Sequence, residues 1–214
     1  MIDPCIITGC ARSRTSLVMQ ILQISGAFLG SVIGVTGANP QGQLELRQII
    51  DQVQKPWLKQ HGFDPKGQYP LPPEDFDSID PHRRQQVEKI FAEQGFTERP
   101  FFKDAKACLD WVAWNYAFPD AIWIIVRRNE EGIIKSCLSP KAPFMSAFNN
   151  EKGWRWWVHE HIKRFEQIKA NCKYIYEIDT DKIVAEDFSE IKPLVEDLGL
   201  VWDEEKTRKN LAKT

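Results

Sequence analysis

The sequence predicts an α/β fold of three layers, in which a mainly parallel central sheet is flanked by helices. Two observations predict this fold. Short apolar runs rich in β-branched residues recur along the chain, and each is too short for a helix. Longer segments with apolar residues at helical spacing separate these runs. Strands and helices that alternate in this way form parallel sheets, which bind ligands at the carboxyl ends of their strands.

Length and composition favour one well-buried domain over residues 1–214. Of the 214 residues, 43% are hydrophobic and 27% are charged, and the net charge is -2. This charge gives no electrostatic reason to expect a nucleic acid or an acidic membrane as partner. The five cysteines are odd in number and lack C-x-x-C spacing, which fits a reducing compartment better than a disulfide framework or a zinc site. With no signal-peptide pattern and no membrane-length apolar run, we expect a cytoplasmic protein. The oligomeric state stays open.

The first strand, loop and helix are the strongest candidate for a ligand site. Cys5–Ile7 is predicted to be a buried strand, a turn follows from Gly9, and Thr15 begins a helical pattern. The free N–H groups and the dipole at a helix start favour a bound anion. The loop adds two cations and three hydroxyls, namely Arg12, Arg14, Ser13, Thr15 and Ser16. The alternative is a simple turn in which Ser13 or Thr15 only caps the helix.

This loop differs from the loop of nucleotide triphosphatases. Counted from Gly9, the pattern G-x-x-x-x-G-K-[ST] requires Gly and Lys where this chain has Arg14 and Thr15. The lysine that reaches the β- and γ-phosphates is therefore missing. We expect the site to hold a terminal phosphate without hydrolysing a triphosphate.

Residues 9–17, GCARSRTSL, resemble the G-x-P-R-S-G-T-S-L loop of sulfotransferases. In that family the loop holds the 5′-phosphosulfate end of 3′-phosphoadenosine 5′-phosphosulfate (PAPS). Ala11 and Arg14 depart from it, since they replace a proline and a glycine. The resemblance implies a P-loop-like fold, PAPS as cofactor with 3′-phosphoadenosine 5′-phosphate (PAP) as product, and 5′-phosphate ligands at Arg12, Ser13, Arg14, Thr15 and Ser16.

A second segment resembles the same family. Residues 121–126 are apolar throughout, which predicts a strand covered on both faces, and two arginines follow. Arg128 and Ser136 match the family's spacing of an arginine and a serine eight positions later, which bind the 3′-phosphate. Arg127 is the neighbour that could substitute for Arg128. The alternative is a strand-end arginine in a surface ion pair with Glu130 or Glu131.

Two further segments provide candidate catalytic residues. Residues 39–45, NPQGQLE, are similar to the family's N-P-x-G-y-F-E segment, which implies that Glu45 is the general base for the acceptor hydroxyl. Alternatively, Glu45 is a first-turn carboxylate of a helix predicted from Gln43. Residues 103–106, KDAK, resemble the family's K-D-P-R, which implies that Lys103 assists the leaving group. Its alternative is a solvent-facing strand end.

Histidines offer another base, because either His159 or His161 could replace Glu45. Both belong to a helix predicted from Glu151, whose tryptophan-rich stripe is more typical of core than of a stacking platform. Because they lie two residues apart, they face different sides of that helix and do not form a metal pair. No other motif calls for a metal.

The acceptor is not specified by the sequence. The proline-rich segment 63–81 has no periodicity and is predicted to be a lid or acceptor loop, or else a surface excursion. The hypothesis is transfer of a sulfuryl group from PAPS to a hydroxyl or amine of a small-molecule or glycan acceptor. The alternatives are a P-loop-type nucleotide-dependent kinase and a non-catalytic nucleotide-binding protein.

Overall fold

A computed structural model describes residues 2–36, 42–76 and 79–212. Within these ranges the centre of the fold is a four-stranded sheet. Its strands are β1 (Cys5–Gly9), β2 (Phe101–Lys103), β3 (Ile122–Arg127) and β4 (Tyr174–Asp179). The order across the sheet is β2-β1-β3-β4, and every pairing is parallel. All four carboxyl ends therefore meet at one edge, as the sequence predicts.

Helices connect the strands on both faces of the sheet. They are α1 (Thr15–Ile24), α2 (Lys55–Gln60), α3 (Arg83–Glu93), α4 (Trp111–Ala117), α5 (Glu130–Cys137), α6 (Glu151–Asn171), α7 (Thr180–Val184), α8 (Ile191–Asp197) and α9 (Glu204–Leu211). A π-helical turn, Ile49–Gln54, leads into α2, and a 3₁₀ turn, Ala107–Asp110, leads into α4. None of the helices in the described ranges has the length and hydrophobicity that crossing a bilayer requires.

Alternating side chains of the strands build two cores. Ile6, Trp123 and Ile125 face the core that α3, α4, α5 and α6 cover, whereas Ile7 and Ile124 face the core under α1 and α8. Period-two alternation sends successive strand residues to opposite faces. Because both faces are covered there, residues 5–7 of β1 and 122–126 of β3 are apolar throughout, whereas β4 at the edge carries Glu177 and Asp179. The predicted α/β class with three layers is confirmed.

The helix predicted from Gln43 begins later than expected. Leu44 has a positive φ of 57°, and regular helical structure starts only beyond Leu46. Glu45 thus precedes the helix and is not a first-turn carboxylate. Residues 39–41 of the family-like segment lie outside the described residues.

Candidate active site

A cavity of about 540 Å³ opens at the carboxyl edge of the sheet. Ligand sites of parallel α/β sheets lie at this edge. Nearly all of the site residues predicted from the sequence line it, namely Arg12, Arg14, Thr15, Ser16, Glu45, Lys103, Arg128 and Ser136. The exception is Ser13. The structure thus brings together residues from distant parts of the chain.

The loop after β1 has a tight and unusual backbone. Arg12 and Arg14 have positive φ angles of 72° and 64°, which non-glycine residues seldom adopt. A side chain on Gly9 would meet the carbonyl oxygen of Val126 at 2.6 Å, so only glycine fits there. Ser13 is buried, and its hydroxyl lies against Gly9 with no hydrogen-bond partner among the described residues. Its backbone N–H and carbonyl oxygen are both hydrogen-bonded within the protein, and Ser13 does not line the cavity.

Three guanidinium groups gather at one end of the cavity. Nη1 of Arg128 donates to the carbonyl oxygen of Arg12 at 2.8 Å, and Nε of Arg12 donates to Oγ of Ser136 at 2.9 Å. Nη1 of Arg14 pairs with Asp181 at 2.6 Å. Burial lowers the pKa of Arg128, and the nearby charges of Arg14 and Arg12 lower it further. This cluster, called the arginine cluster below, gains stability from a bound anion.

Arg128 also has an unused donor. Its Nε is buried and has no hydrogen-bond partner among the described residues. This atom packs against the first turn of α5, since a Cβ added to Gly132 would meet it at 2.9 Å. It is therefore closed to a ligand in the cavity.

Asp181, which is not among the site residues predicted from the sequence, holds the arginine cluster in place. Its Oδ2 accepts hydrogen bonds of 2.7 Å from both the backbone N–H and the side-chain amide of Asn129. Burial raises the pKa of Asp181, but its bonds to Asn129 and Arg14 outweigh that effect and lower it. This contact could not be predicted from the sequence, because the partner Arg14 is 167 residues away.

Arg127 takes no part in the cavity lining. It lies 2.8 Å from Glu177 and 2.9 Å from Glu166, both at the surface. Glu130 and Glu131 pair with Arg155, so the described contacts do not include the surface pair considered for Arg128. Of the two adjacent arginines, Arg128 is the one that faces the cavity.

Glu45 and Lys103 form an ion pair deeper in the cavity. Nζ of Lys103 lies 3.2 Å from Oε1 of Glu45 and 3.4 Å from Oγ of Ser16. Burial raises the pKa of Glu45, but the charges of Lys103, Lys106 and Lys55 together outweigh it, and the pKa is lowered. Glu45 is therefore ionised at neutral pH, the form that a general base requires.

Lys106 is a cavity residue that the sequence reasoning missed. Its Nζ lies 2.7 Å from Oδ1 of the buried Asp104. Although burial alone lowers the pKa of Lys106, the charges of Asp104 and Glu45 reverse this and raise it. The only signal was its place in the segment KDAK, where the family has arginine.

The two candidate histidines occupy different environments. His159 is exposed, lies 3.1 Å from Glu130 and does not line the cavity. His161 lines the cavity, and its Nδ1 must be a donor because it lies 2.9 Å from the carbonyl oxygen of Trp157. Burial lowers the pKa of His161 to about 3. Its Nε2 is therefore an unprotonated hydrogen-bond acceptor, and it is a weak base.

Two loops, which contain residues 65–68 and 144–147, cover the cavity. The buried Gln68 connects them by hydrogen bonds. Its side-chain amide donates to the carbonyl oxygen of Phe144 at 2.7 Å, and its oxygen accepts from the backbones of Ser146 and Ala147 at 2.9 and 3.1 Å. Nε1 of Trp157 donates to the carbonyl oxygen of Gly67 at 2.9 Å. The loop predicted as a lid thus contributes Pro65, Lys66 and Gly67 to the cavity wall.

Comparison with known proteins assigns this arrangement to a family. The model of the sulfotransferase family matches residues 4–204. The chain belongs to the sulfotransferase family. A solved structure that is similar to it is sulfotransferase STF1 from Mycobacterium tuberculosis, with 13% sequence identity and a TM-score of 0.52. The match covers 99% of this chain and 71% of the mycobacterial one, and it supports the fold alone. No curated protein matches the chain significantly.

Proposed function

We propose that this sulfotransferase transfers a sulfuryl group from PAPS to a hydroxyl or amine of its acceptor. The observation that carries the proposal is the arginine cluster, in which three guanidinium groups and Ser136 converge next to the Glu45–Lys103 pair. PAPS fits this donor set, because its ribose carries one phosphate at the 3′ position and another at the 5′ position.

The chain's residues divide between binding and chemistry. Arg12, Ser13, Arg14, Thr15 and Ser16 would hold the 5′-phosphate, and Arg128 and Ser136 the 3′-phosphate. Arg12 would serve both phosphates, since its side chain contacts Ser136. PAPS, when bound, supplies the activated sulfuryl group, and PAP departs.

Glu45 and Lys103 would be the catalytic residues of the transfer. The acceptor oxygen or nitrogen bonds to sulfur as the bond between sulfur and the 5′-phosphate oxygen breaks. Glu45 takes the acceptor's proton, and Lys103 neutralises the charge that develops on the leaving oxygen. The two side chains lie 3.2 Å apart in the same cavity. Most of the catalysis then comes from positioning and charge stabilisation.

Calorimetric titration with PAP tests the proposal, with AMP and with ATP and Mg²⁺ as controls. We expect micromolar binding of PAP and much weaker binding of AMP, because AMP lacks the 3′-phosphate. Preference for ATP would instead indicate a kinase. Tight PAP binding without transfer from PAPS in a broad acceptor screen would indicate a non-catalytic binding protein.

A further inference from the structure

The charge of the cavity wall is strongly one-sided. Among the described residues that line it, seven are cations and one, Glu45, is a carboxylate. The protein as a whole has a net charge of -2, so composition does not explain this excess. Cavities lined by one sign of charge attract ligands of the opposite sign.

The donor nucleotide accounts for only part of this charge. The arginine cluster and Lys103 suit the phosphates and the sulfuryl group. Three lysines remain, and they come from different elements: Lys55 begins α2, Lys66 lies in the loop after it, and Lys106 follows β2. All three line the same cavity.

Two of these lysines act on the proposed base. The charges of Lys106 and Lys55 both lower the pKa of Glu45. The stem of Lys106 packs under Gly67, where an added Cβ would meet its Cγ at 2.8 Å. Lys106 is therefore held in the cavity wall, 2.7 Å from its counter-ion Asp104.

Lys55 and Lys66 are the more accessible members of this group. Both are exposed while still lining the cavity, which places them at its mouth. Lys55 pairs with Asp51 at 2.8 Å in an exposed contact that contributes little. The ammonium of Lys66 has no ion-pair partner among the described residues. The mouth thus offers positive charge that is free to meet an anion.

We propose that the acceptor is anionic, with a carboxylate, sulfate or phosphate group close to the hydroxyl or amine that is sulfated. This inference rests on the proposed function. An anionic acceptor approaching Glu45 is repelled by its carboxylate, and Lys55, Lys66 and Lys106 offset that repulsion. The bonds made and broken, and the transfer of the proton to Glu45, are those given above.

Matched acceptor pairs that differ only in charge test the proposal. One arm compares 4-hydroxyphenylacetate with its amide, and the other compares methyl glucuronide with methyl glucoside. PAP release from PAPS gives kcat/KM, and tryptophan fluorescence of the PAP complex gives the affinity for each compound without turnover. We expect the anionic member of at least one pair to be favoured roughly tenfold or more in either measurement. The arm that responds distinguishes an aromatic acid from an acidic sugar.

Lysine variants decide whether the cavity mouth is the cause. Lys66→Gln and Lys55→Gln should each reduce the preference for the anion about threefold or more, with PAP affinity unchanged. Lys59→Gln is the matched control, because Lys59 is exposed on α2 but does not line the cavity. The proposal would be overturned if the charged and uncharged members of both pairs had equal kcat/KM and equal affinity. It would also be overturned if none of the four compounds bound. If the unmodified protein did not bind PAP, the proposed function itself would be refuted.

Discussion

Arg128 and Arg127 are adjacent in sequence but differ in their surroundings, and this difference yields a sharp prediction. Arg128→Ala should weaken PAP binding about tenfold to a hundredfold, because charge-assisted hydrogen bonds contribute about 1.5–3 kcal/mol. The affinity for AMP should change little. Arg127→Ala is the control, since its partners are Glu166 and Glu177 at the surface. Calorimetry of both variants with both nucleotides gives the comparison, and equal losses for PAP and AMP would reject the 3′-phosphate role.

Glu45 gives a prediction about turnover. Glu45→Gln should abolish sulfuryl transfer and leave PAP affinity nearly intact, because the carboxylate is needed for the proton and not for the nucleotide. Steady-state transfer and calorimetry separate the two effects. An active Glu45→Gln enzyme would direct attention to His161, the candidate histidine that lines the cavity.

The pH dependence of the same residue depends on Lys103. The pKa of Glu45 is lowered, so its contribution to kcat/KM is present above that lowered pKa and is lost as the pH falls through it. Lys103→Met removes the strongest opposing charge and lets the effect of burial raise the pKa. The acidic limb of the kcat/KM profile should therefore move to higher pH. The control is Lys135→Met, since Lys135 is an exposed residue of α5, and it should leave the acidic limb in place. If the limb did not move in Lys103→Met, the coupling between Lys103 and Glu45 would be contradicted.

At the scale of elements, Gln68 joins two loops that have no regular structure of their own. Gln68→Ala removes three hydrogen bonds to residues 144–147. At about 0.5–1.5 kcal/mol each, their loss should lower the free energy of unfolding by about 1.5–4.5 kcal/mol. Denaturant unfolding measures this change, and faster PAP dissociation should accompany it because the cavity loses part of its cover.

Gln86→Ala provides the matched control for the loop contact. Gln86 is an exposed glutamine whose amide donates to the carbonyl oxygen of Gln52 at 2.9 Å, away from the cavity. Its loss should be small, within about 0.5 kcal/mol. If Gln68→Ala and Gln86→Ala were equally stable and released PAP at equal rates, the loops would close the cavity without this residue.

Elements that depend on local pattern could be predicted from the sequence, and contacts that depend on distant residues could not. The strands, the first helix and the loop between them follow from short apolar runs and helical spacing. The delayed helix after Glu45 escaped prediction, because the positive φ of Leu44 has no signal in its residue type. Asp181 and Gln68 escaped it because their partners lie 167 and 76 residues away. Lys106 escaped prediction because the family's K-D-P-R motif has arginine at this position.

At the scale of the whole molecule, the site draws on three of the four strands. The loop after β1, the end of β2 and the segment after β3 all contribute to the cavity, and these strands pair side by side. A nucleotide held by these segments links them in the folded state only. Its binding free energy therefore adds to the stability of the entire sheet.

This linkage gives a final prediction on thermal unfolding. At a PAP concentration of a hundred times Kd, binding adds about 2.7 kcal/mol. For a chain of this length each kcal/mol raises Tm by about 2–4 °C, so we expect a rise of roughly 5–11 °C. AMP at the same concentration should give a much smaller rise, and added salt should reduce both because the cavity is cationic. Differential scanning calorimetry with each nucleotide measures the shifts, and equal shifts for PAP and AMP would mean that the arginine cluster does not read the 3′-phosphate.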